Sequence, residues 1–185
     1  FQFEVESEVL RYSSSGNDEW QIVLEQTPFY AESGGQVADI GIFKSTNLNG
    51  EILNCKKVGD FHLHEVTIAE GSLELNADVE LIIDSERREK IVSNHSATHL
   101  LHSALRKVLG ESVEQRGSLV NEEKLRFDFS HSNKVTDDQI MEIEDIVNLK
   151  IEEAIDTKTE VLPYEDALKT GALAFFGDKY GEKVR

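Results

Sequence analysis

Apolar and polar side chains alternate along most of the first 84 residues, which is the pattern of β-strands with one buried face. The opening FQFEVESEV and the later WQIVLEQT both alternate in this way, and the polar run at residues 13–19 predicts a turn between them. Further strands are predicted at residues 37–44, 51–58, 62–68 and 78–84. Asn49-Gly50 predicts a tight turn between the first two of these. Short strands at this spacing predict a small β-barrel or sandwich ending near Ile83.

After residue 84 the apolar positions follow a helical period. Residues 85–109 predict a helix with a break at Ser93-Asn94, because Asn94 is a favourable N-cap for the second part. Gly110 predicts the C-terminal end of this helix. Residues 113–120 and 124–131 then predict two strands joined by a short turn.

A second, acidic helix is predicted to begin near Thr136, because Thr136 and Gln139 have capping-box spacing. Its predicted apolar stripe consists of Ile140, Ile143, Val147, Ile151 and Ala154. A strand, a short helix after Pro163 and a glycine-bounded loop are predicted beyond it. This order predicts an α+β fold, with a β-barrel subdomain at 1–84 and, at 85–185, an antiparallel sheet with helices packed on one face.

The composition describes a globular, strongly acidic chain. Among 185 residues, 36 Asp and Glu oppose 19 Lys and Arg, for a formal net charge of −17 at pH 7. This balance disfavours nucleic-acid binding unless a small basic patch lies on an acidic body. No apolar run approaches the roughly 18 residues of a membrane span. Because the sequence opens in a strand at Phe1 rather than at a methionine or a signal peptide, we expect a segment of a longer polypeptide.

The only cysteine, Cys55, excludes an internal disulfide and fits a reducing cytosol, so we expect a cytoplasmic location. It lies in a predicted strand, where a small buried thiol is favoured over a reactive one.

Three histidines lie close together in NHSATHLLHSAL, residues 94–105. Each helical residue advances by about 100°, so His99 and His102 fall at roughly 40° and −20° from His95. The predicted core face centres near roughly 230° and consists of Leu101, Ala104, Leu105 and Val108. A single histidine would be interpreted as a structural or surface residue, but three on a face away from the core favour a functional site.

His95 and His99 have the i, i+4 spacing that lets two imidazoles converge on one metal ion. The helical metalloprotease motif requires Glu directly after the first histidine, and Ser96 occupies that position, so a protease is disfavoured. Zinc normally has three or four protein ligands. No spacing recommends the other candidate ligands, Cys55, His62, His64 and His131. The residues alone therefore indicate half of a metal site.

Four segments resemble the alanyl-tRNA synthetases, in the region that contains their editing domain. TPFYAESGGQVADIG (27–41) resembles the glycine-containing barrel motif, and NHSATHLLHSALRKVLG (94–110) resembles the metal-binding helix. QRGSLV with LRFDFSH resembles the strand pair that follows, and GALAFFGDKYGEKVR resembles the stretch before the second metal motif. Free-standing alanyl-tRNA editing proteins and the threonyl-tRNA synthetase editing domain share the histidine helix, but the TPFYAESGGQ and ALAFFGDKYGEKVR segments favour the full-length synthetase.

The resemblance implies hydrolysis of the ester in Ser-tRNA(Ala) or Gly-tRNA(Ala), within an enzyme that ligates alanine to its tRNA using ATP. An alanine pocket cannot exclude glycine and rejects serine poorly, so a second, hydrolytic site is needed. The implied partner is the acceptor end of tRNA(Ala). ATP and magnesium are implied only for the aminoacylation domain, outside these residues. A free-standing trans-editing protein remains an alternative.

The resemblance also assigns roles to individual residues. His95 and His99 match the first two zinc ligands, Thr98 matches a hydroxyl used in the site, and Gln115 matches a position that recognises the misacylated amino acid. The implied substrate-binding residues are Gly34, Gly35 and Arg116. Simpler interpretations stay open: Thr98 can bond back within its helix, Gly34-Gly35 can be only a turn, and Gln115 can be an exposed strand residue.

The family completes its zinc site with a Cys-x-x-x-His motif beyond the segment that ends at Arg185, and residues 1–185 contain no such motif. We therefore expect a partial or empty zinc site and weak or absent hydrolysis in this chain by itself.

A rival hypothesis is a module that docks the tRNA acceptor end without chemistry. It rests on the cationic residues that flank the histidine helix, Arg87, Arg88, Lys90, Arg106, Lys107 and Arg116. These could equally be solvated helix residues.

Overall fold

The computed structural model describes residues 2–16, 19–156, 160–170 and 182–184. The chain forms two compact units, residues 1–149 and 150–185. The boundary expected after residue 84 stays a prediction. An α+β fold is confirmed by the barrel, the helices and the further antiparallel sheets described below.

Antiparallel strands of the first unit close into a six-stranded barrel, in the order β1-β2-β5-β4-β3-β6. The strands are β1 (Glu4–Gly16), β2 (Glu19–Leu24), β3 (Gly41–Ser45), β4 (Leu48–Val58), β5 (Phe61–Gly71) and β6 (Asp78–Ile83). Alternate side chains point inward, so that Ile22, Phe43 and Leu81 are fully buried. β6 closes the barrel by pairing with both β1 and β3.

Three details of the predicted barrel are wrong. Most of the polar run at residues 13–19 is strand rather than turn, because β1 continues to Gly16 and β2 begins at Glu19. The strand expected at residues 37–44 begins only at Gly41, and the preceding residues form a connecting loop. The turn expected at Asn49-Gly50 lies instead at Thr46-Asn47, and Gly50 is inside β4. Gly50 is explained by close packing, because a Cβ there would collide with the ring of Phe43. Glycine therefore marks a tight contact rather than a turn.

The histidine-bearing helix, α1 (Ser85–Leu109), is continuous, so the predicted break at Ser93-Asn94 is wrong. Asp84 caps its start by accepting a hydrogen bond from the Arg87 backbone at 2.9 Å, and Gly110 ends it as predicted. Asn94 does not cap a helix, because its side-chain amide donates to the Asn121 carbonyl at 2.8 Å. It therefore joins α1 to the hairpin that follows.

The hairpin consists of β7 (Gln115–Val120) and β8 (Leu125–Phe129), and the second helix, α2 (Asp137–Glu152), follows it. The predicted capping box is confirmed, because Thr136 and Gln139 exchange hydrogen bonds at 3.0 and 3.3 Å. A second core contains Ala104, Leu105, Val113 and Ile143, with Phe127 and Phe129 packed against it. The helices and the hairpin thus share a core separate from that of the barrel.

The apolar stripe of α2 is only partly as predicted. Ile143, Ile146 and Val147 pack in the second core, whereas Ile140 and Ile151 are 43% and 55% exposed. The buried positions follow i, i+3, i+4 spacing, which gives a narrower face than the predicted stripe. Ala154 lies beyond the end of the helix.

In the second unit, β9 (Leu162–Pro163) pairs antiparallel with β10 (Lys183–Val184), and the predicted short helix is α3 (Tyr164–Lys169), directly after Pro163. The predicted glycine-bounded loop and the ALAFFGDKYGEKVR segment lie largely outside the described residues. Within the described part of the chain, no helix has both the length and the apolarity to cross a membrane.

Candidate functional site

The rings of His95 and His99 lie side by side on α1, with their centroids 5.1 Å apart and their planes at 36°. His95 is half-buried and His99 is exposed. The pKa of His95 is lowered mainly by burial and to a smaller extent by the charge of His99. A lowered pKa favours the neutral imidazole at neutral pH, which is the form that binds a metal ion.

Gln36 connects this helix to the loop before β3. Its side-chain Oε1 lies 2.6 Å from Nδ1 of His95, and the residue is only 7% exposed. Its backbone exchanges hydrogen bonds with Ser33 at 3.0 and 3.2 Å, which closes a tight turn around Gly34 and Gly35. The predicted glycine motif and the predicted histidine helix therefore meet at Gln36.

The glycine turn also docks on β7. The Val120 amide donates to the Gly35 carbonyl at 2.8 Å, and the Val37 amide donates to the Val120 carbonyl at 3.0 Å. The hydroxyl of Ser118 donates to the Gly34 carbonyl at 3.0 Å. Gly35 has a φ of +88°, and a Cβ at this position would collide with the Ser118 backbone. The turn is thus packed against the strand at van der Waals contact.

Gln115 reaches the same place from the start of β7. Its side-chain amide donates to the hydroxyl of Ser118 at 3.2 Å, and that hydroxyl holds Gly34. A continuous set of contacts therefore joins Gln115 and the glycine pair to the two histidines. The structure brings these predicted site residues together.

Thr98 is buried on α1, and its hydroxyl donates to the Asn94 carbonyl at 2.8 Å. This hydrogen bond to the carbonyl four residues earlier is the simpler interpretation that the sequence allowed for Thr98. It uses the proton of the hydroxyl and leaves the oxygen as an acceptor.

Arg116 lies apart from this set of contacts. Its side chain is 63% exposed, pairs with Glu114 at 3.0 Å, and sits at a register shift between Gln115 and Gly117. Its substrate-binding role stays a prediction.

The other cations of the predicted grouping are largely engaged within the protein. Arg88 is buried and forms a two-pronged ion pair with Asp39, with Nε 2.7 Å from Oδ1. Arg87 contacts the Ala38 carbonyl at 2.8 Å and Glu122 at 3.1 Å. Lys90 pairs with Glu86, and Arg106 donates to the Val113 carbonyl. The Arg87 and Arg88 contacts hold the loop before β3 against α1.

His102 does not share the polar stripe expected from the helical wheel. It is 7% exposed, and its ring lies 5.0 Å from that of Phe127 on β8. A helical wheel considers one helix alone, so it could not show that the hairpin would cover this side of α1. Burial lowers the pKa of His102, opposed by a backbone hydrogen bond with Val113.

Cys55 and His64 are buried inside the barrel, outside this site. Cys55 is fully buried, as predicted, and burial together with the charge of Asp39 raises its pKa to about 12. His64 lies opposite Cys55 on β5 and is also fully buried, with Nε2 2.9 Å from the hydroxyl of Thr27. Both are core residues.

In the part of the chain that the structure describes, no group of three or more His, Cys, Asp or Glu side chains is placed so that it could hold a metal ion.

The sequence did not reveal Gln36 and Ser118 as members of the site. A signal existed for Gln36, which directly follows the glycine pair in SGGQ, but its contact with His95 joins positions 59 residues apart.

Comparison with known proteins places the chain among relatives of the aminoacyl-tRNA synthetases. The family described as tRNA synthetases class II (A) matches residues 3–87. Alanine–tRNA ligases are similar over most of the chain: that of Cupriavidus necator is 48% identical over 89% of it, and that of Halalkalibacterium halodurans is 49% identical over 96%. These alignments cover 19% and 20% of the two ligases, so the chain spans about a fifth of their length. The chain is thus homologous to one segment of the alanine–tRNA ligases.

Proposed function

We propose that this chain is the editing segment of an alanine–tRNA ligase and contributes to hydrolysis of the ester in Ser-tRNA(Ala) or Gly-tRNA(Ala). One observation carries the proposal: the paired His95 and His99 lie at one end of a set of contacts that includes the glycine turn and Gln115. The parent enzyme would ligate alanine to its tRNA in the cytoplasm, and ATP and magnesium would serve that ligation elsewhere in the protein. An alanine pocket discriminates poorly against glycine and serine, which gives the hydrolytic site its purpose.

His95 and His99 fit two positions of a zinc site, because both offer imidazole nitrogen on one side of a helix. Two further ligands would come from outside the described residues, and the family resemblance gives a Cys-x-x-x-His motif as their source. Bound zinc would supply a Lewis acid for the ester carbonyl or the attacking water.

The remaining side chains would bind and orient the substrate. The amide nitrogen of Gln115 is held by Ser118, so its Oε1 is the group available to accept a hydrogen bond from the amino acid of the misacylated tRNA. The Thr98 oxygen would serve as a second acceptor, and the peptides of Gly34 and Gly35 would line the site. Exposed Arg116 would contact a phosphate of the acceptor end.

Deacylation of Ser-tRNA(Ala) tests the proposal. We expect the chain extended through the Cys-x-x-x-His motif to hydrolyse it, and His95→Ala to lower the rate by about 100-fold or more through loss of a metal ligand. His131→Ala, a histidine beyond β8, should leave the rate unchanged. A His95→Ala variant that deacylates Ser-tRNA(Ala) at the wild-type rate would refute the histidine site. If the extended chain binds tRNA but does not hydrolyse the ester, the docking module is favoured instead. The structure argues against that module, because Arg87, Arg88 and Lys90 form ion pairs within the protein.

A further inference from the structure

We propose that Gln36 is a positioning residue that fixes the tautomer of His95, so that Nδ1 carries the proton and Nε2 presents its lone pair to a metal ion. This inference rests on the proposed function for the identity of the ligand, but its central claim concerns only the two side chains.

The hydrogen bond itself sets the tautomer. The Gln36 atom that lies 2.6 Å from Nδ1 of His95 is the amide oxygen, which can only accept. Nδ1 must therefore donate, and in a neutral imidazole the proton on Nδ1 leaves Nε2 unprotonated. Histidines that bind metals through one nitrogen commonly donate the other N–H to such an acceptor, which orients the ring.

Gln36 is itself held in place. Its backbone is bonded in both directions to Ser33, and the next amide, that of Val37, is bonded to the Val120 carbonyl on β7. Three residues further along, Asp39 forms the buried ion pair with Arg88 of α1. The loop that carries Gln36 is thus tied to the hairpin and to the same helix that carries His95.

Burial adds to the constraint on the side chain. Gln36 is 7% exposed, so water competes poorly for its amide oxygen, and loss of the bond would leave a buried acceptor without compensation.

The experiment compares three proteins, wild type, Gln36→Met and Gln36→Glu. Methionine keeps the length and volume of the side chain but lacks an acceptor, whereas glutamate retains one. Gln26→Met, in the same connecting segment but bonded to Glu6, is the matched control for a glutamine replacement. Thermal unfolding of each variant confirms that it is folded before the comparison is made.

The first readout is the ¹⁵N chemical shift of the two His95 ring nitrogens, measured in this chain without metal at a pH where the ring is neutral. We expect the Nδ1–H tautomer in wild type, Gln36→Glu and Gln26→Met, and an increase of the Nε2–H tautomer in Gln36→Met. An unchanged tautomer in a folded Gln36→Met protein overturns the proposal.

The second readout is zinc affinity, measured by competition with a chelator in the chain extended through the Cys-x-x-x-His motif. We expect Gln36→Met to bind zinc about 10- to 100-fold more weakly, with Gln36→Glu close to wild type. Equal affinities in Gln36→Met and wild type overturn the positioning role. Failure of the proposed function would give a different result from failure of the positioning role. In that case Gln36→Met would still weaken zinc binding relative to the wild type, but the wild type would not hydrolyse Ser-tRNA(Ala).

Discussion

At the scale of single residues, His64 shows how a polar group is accommodated in the barrel. Its Nε2 lies 2.9 Å from the Thr27 hydroxyl and its Nδ1 lies 3.4 Å from the Ile22 carbonyl, with the ring of Phe29 edge-on to it. Cys55 faces it from β4. Burial lowers the pKa of His64 to about 4, opposed by the Ile22 carbonyl and reinforced by His62.

This pKa predicts a loss of stability in acid. Because the pKa of His64 is lower in the folded chain than in the unfolded chain, the unfolded chain binds more protons between about pH 6.5 and 4. The free energy of unfolding should therefore fall as the pH falls through this window, by about 3 kcal/mol from His64. Urea unfolding at a series of pH values should show a shallower decline for His64→Gln, whereas His131→Gln should follow the wild type. Identical slopes for His64→Gln and wild type would contradict the prediction.

At the scale of elements, the glycine turn is defined by its contact with β7. Gly34 and Gly35 both have positive φ, +61° and +88°, but only a Cβ on Gly35 would meet another part of the chain, the backbone and hydroxyl of Ser118. An alanine at Gly34 would therefore add backbone strain alone, whereas an alanine at Gly35 would add the same kind of strain and also push the turn away from the strand.

We expect Gly34→Ala to lower the free energy of unfolding by about 1 kcal/mol, the cost of a left-handed alanine. Gly35→Ala should cost at least about 1 kcal/mol more, because it adds a collision with the strand backbone. It should also impair deacylation of Ser-tRNA(Ala) more than Gly34→Ala, since Gln36 moves with the turn. Chemical unfolding and the deacylation rate measure the two effects. Equal stability of the two variants would show that the turn can shift at no cost.

The elements also show what local sequence patterns can and cannot predict. Period-two alternation located the barrel strands, and the Thr136–Gln139 capping box located the start of α2, because both depend on neighbours in the sequence. The predicted break in α1 failed because Asn94 bonds to Asn121, 27 residues away, rather than to its own helix. Asn49-Gly50 was mistaken for a turn because the ring that excludes a side chain at Gly50 lies on the neighbouring strand.

At the scale of the whole molecule, the first unit has a barrel core and a helix–hairpin core, and the candidate site is assembled where segments from both meet. The patterns predicted the pieces of that site, and family resemblance predicted several roles, but no periodicity predicts that Ser118 bonds to Gly34 across 84 residues. Such contacts depend on how the cores pack. The Asp39–Arg88 pair is the clearest case, because sequence reasoning placed Arg88 among candidate tRNA-binding cations and the structure buries it beneath the loop that carries Gln36.

Breaking this pair tests whether it holds the parts of the site together. Arg88→Met would leave the buried Asp39 carboxylate with the Tyr30 amide, which donates at 2.6 Å, as its remaining hydrogen-bond partner among the described residues. The substitution should cost about 3–5 kcal/mol in the free energy of unfolding. Adding Asp39→Asn removes the uncompensated charge and should restore part of that loss. Lys90→Met, which breaks the exposed pair with Glu86 on the same helix, should change stability little.

A double-mutant cycle by urea unfolding measures the coupling between Arg88 and Asp39, and the ¹⁵N shifts of His95 report whether the loop has moved. Additive losses from Arg88→Met and Asp39→Asn, with an unchanged His95 tautomer, would show that the pair does not position Gln36.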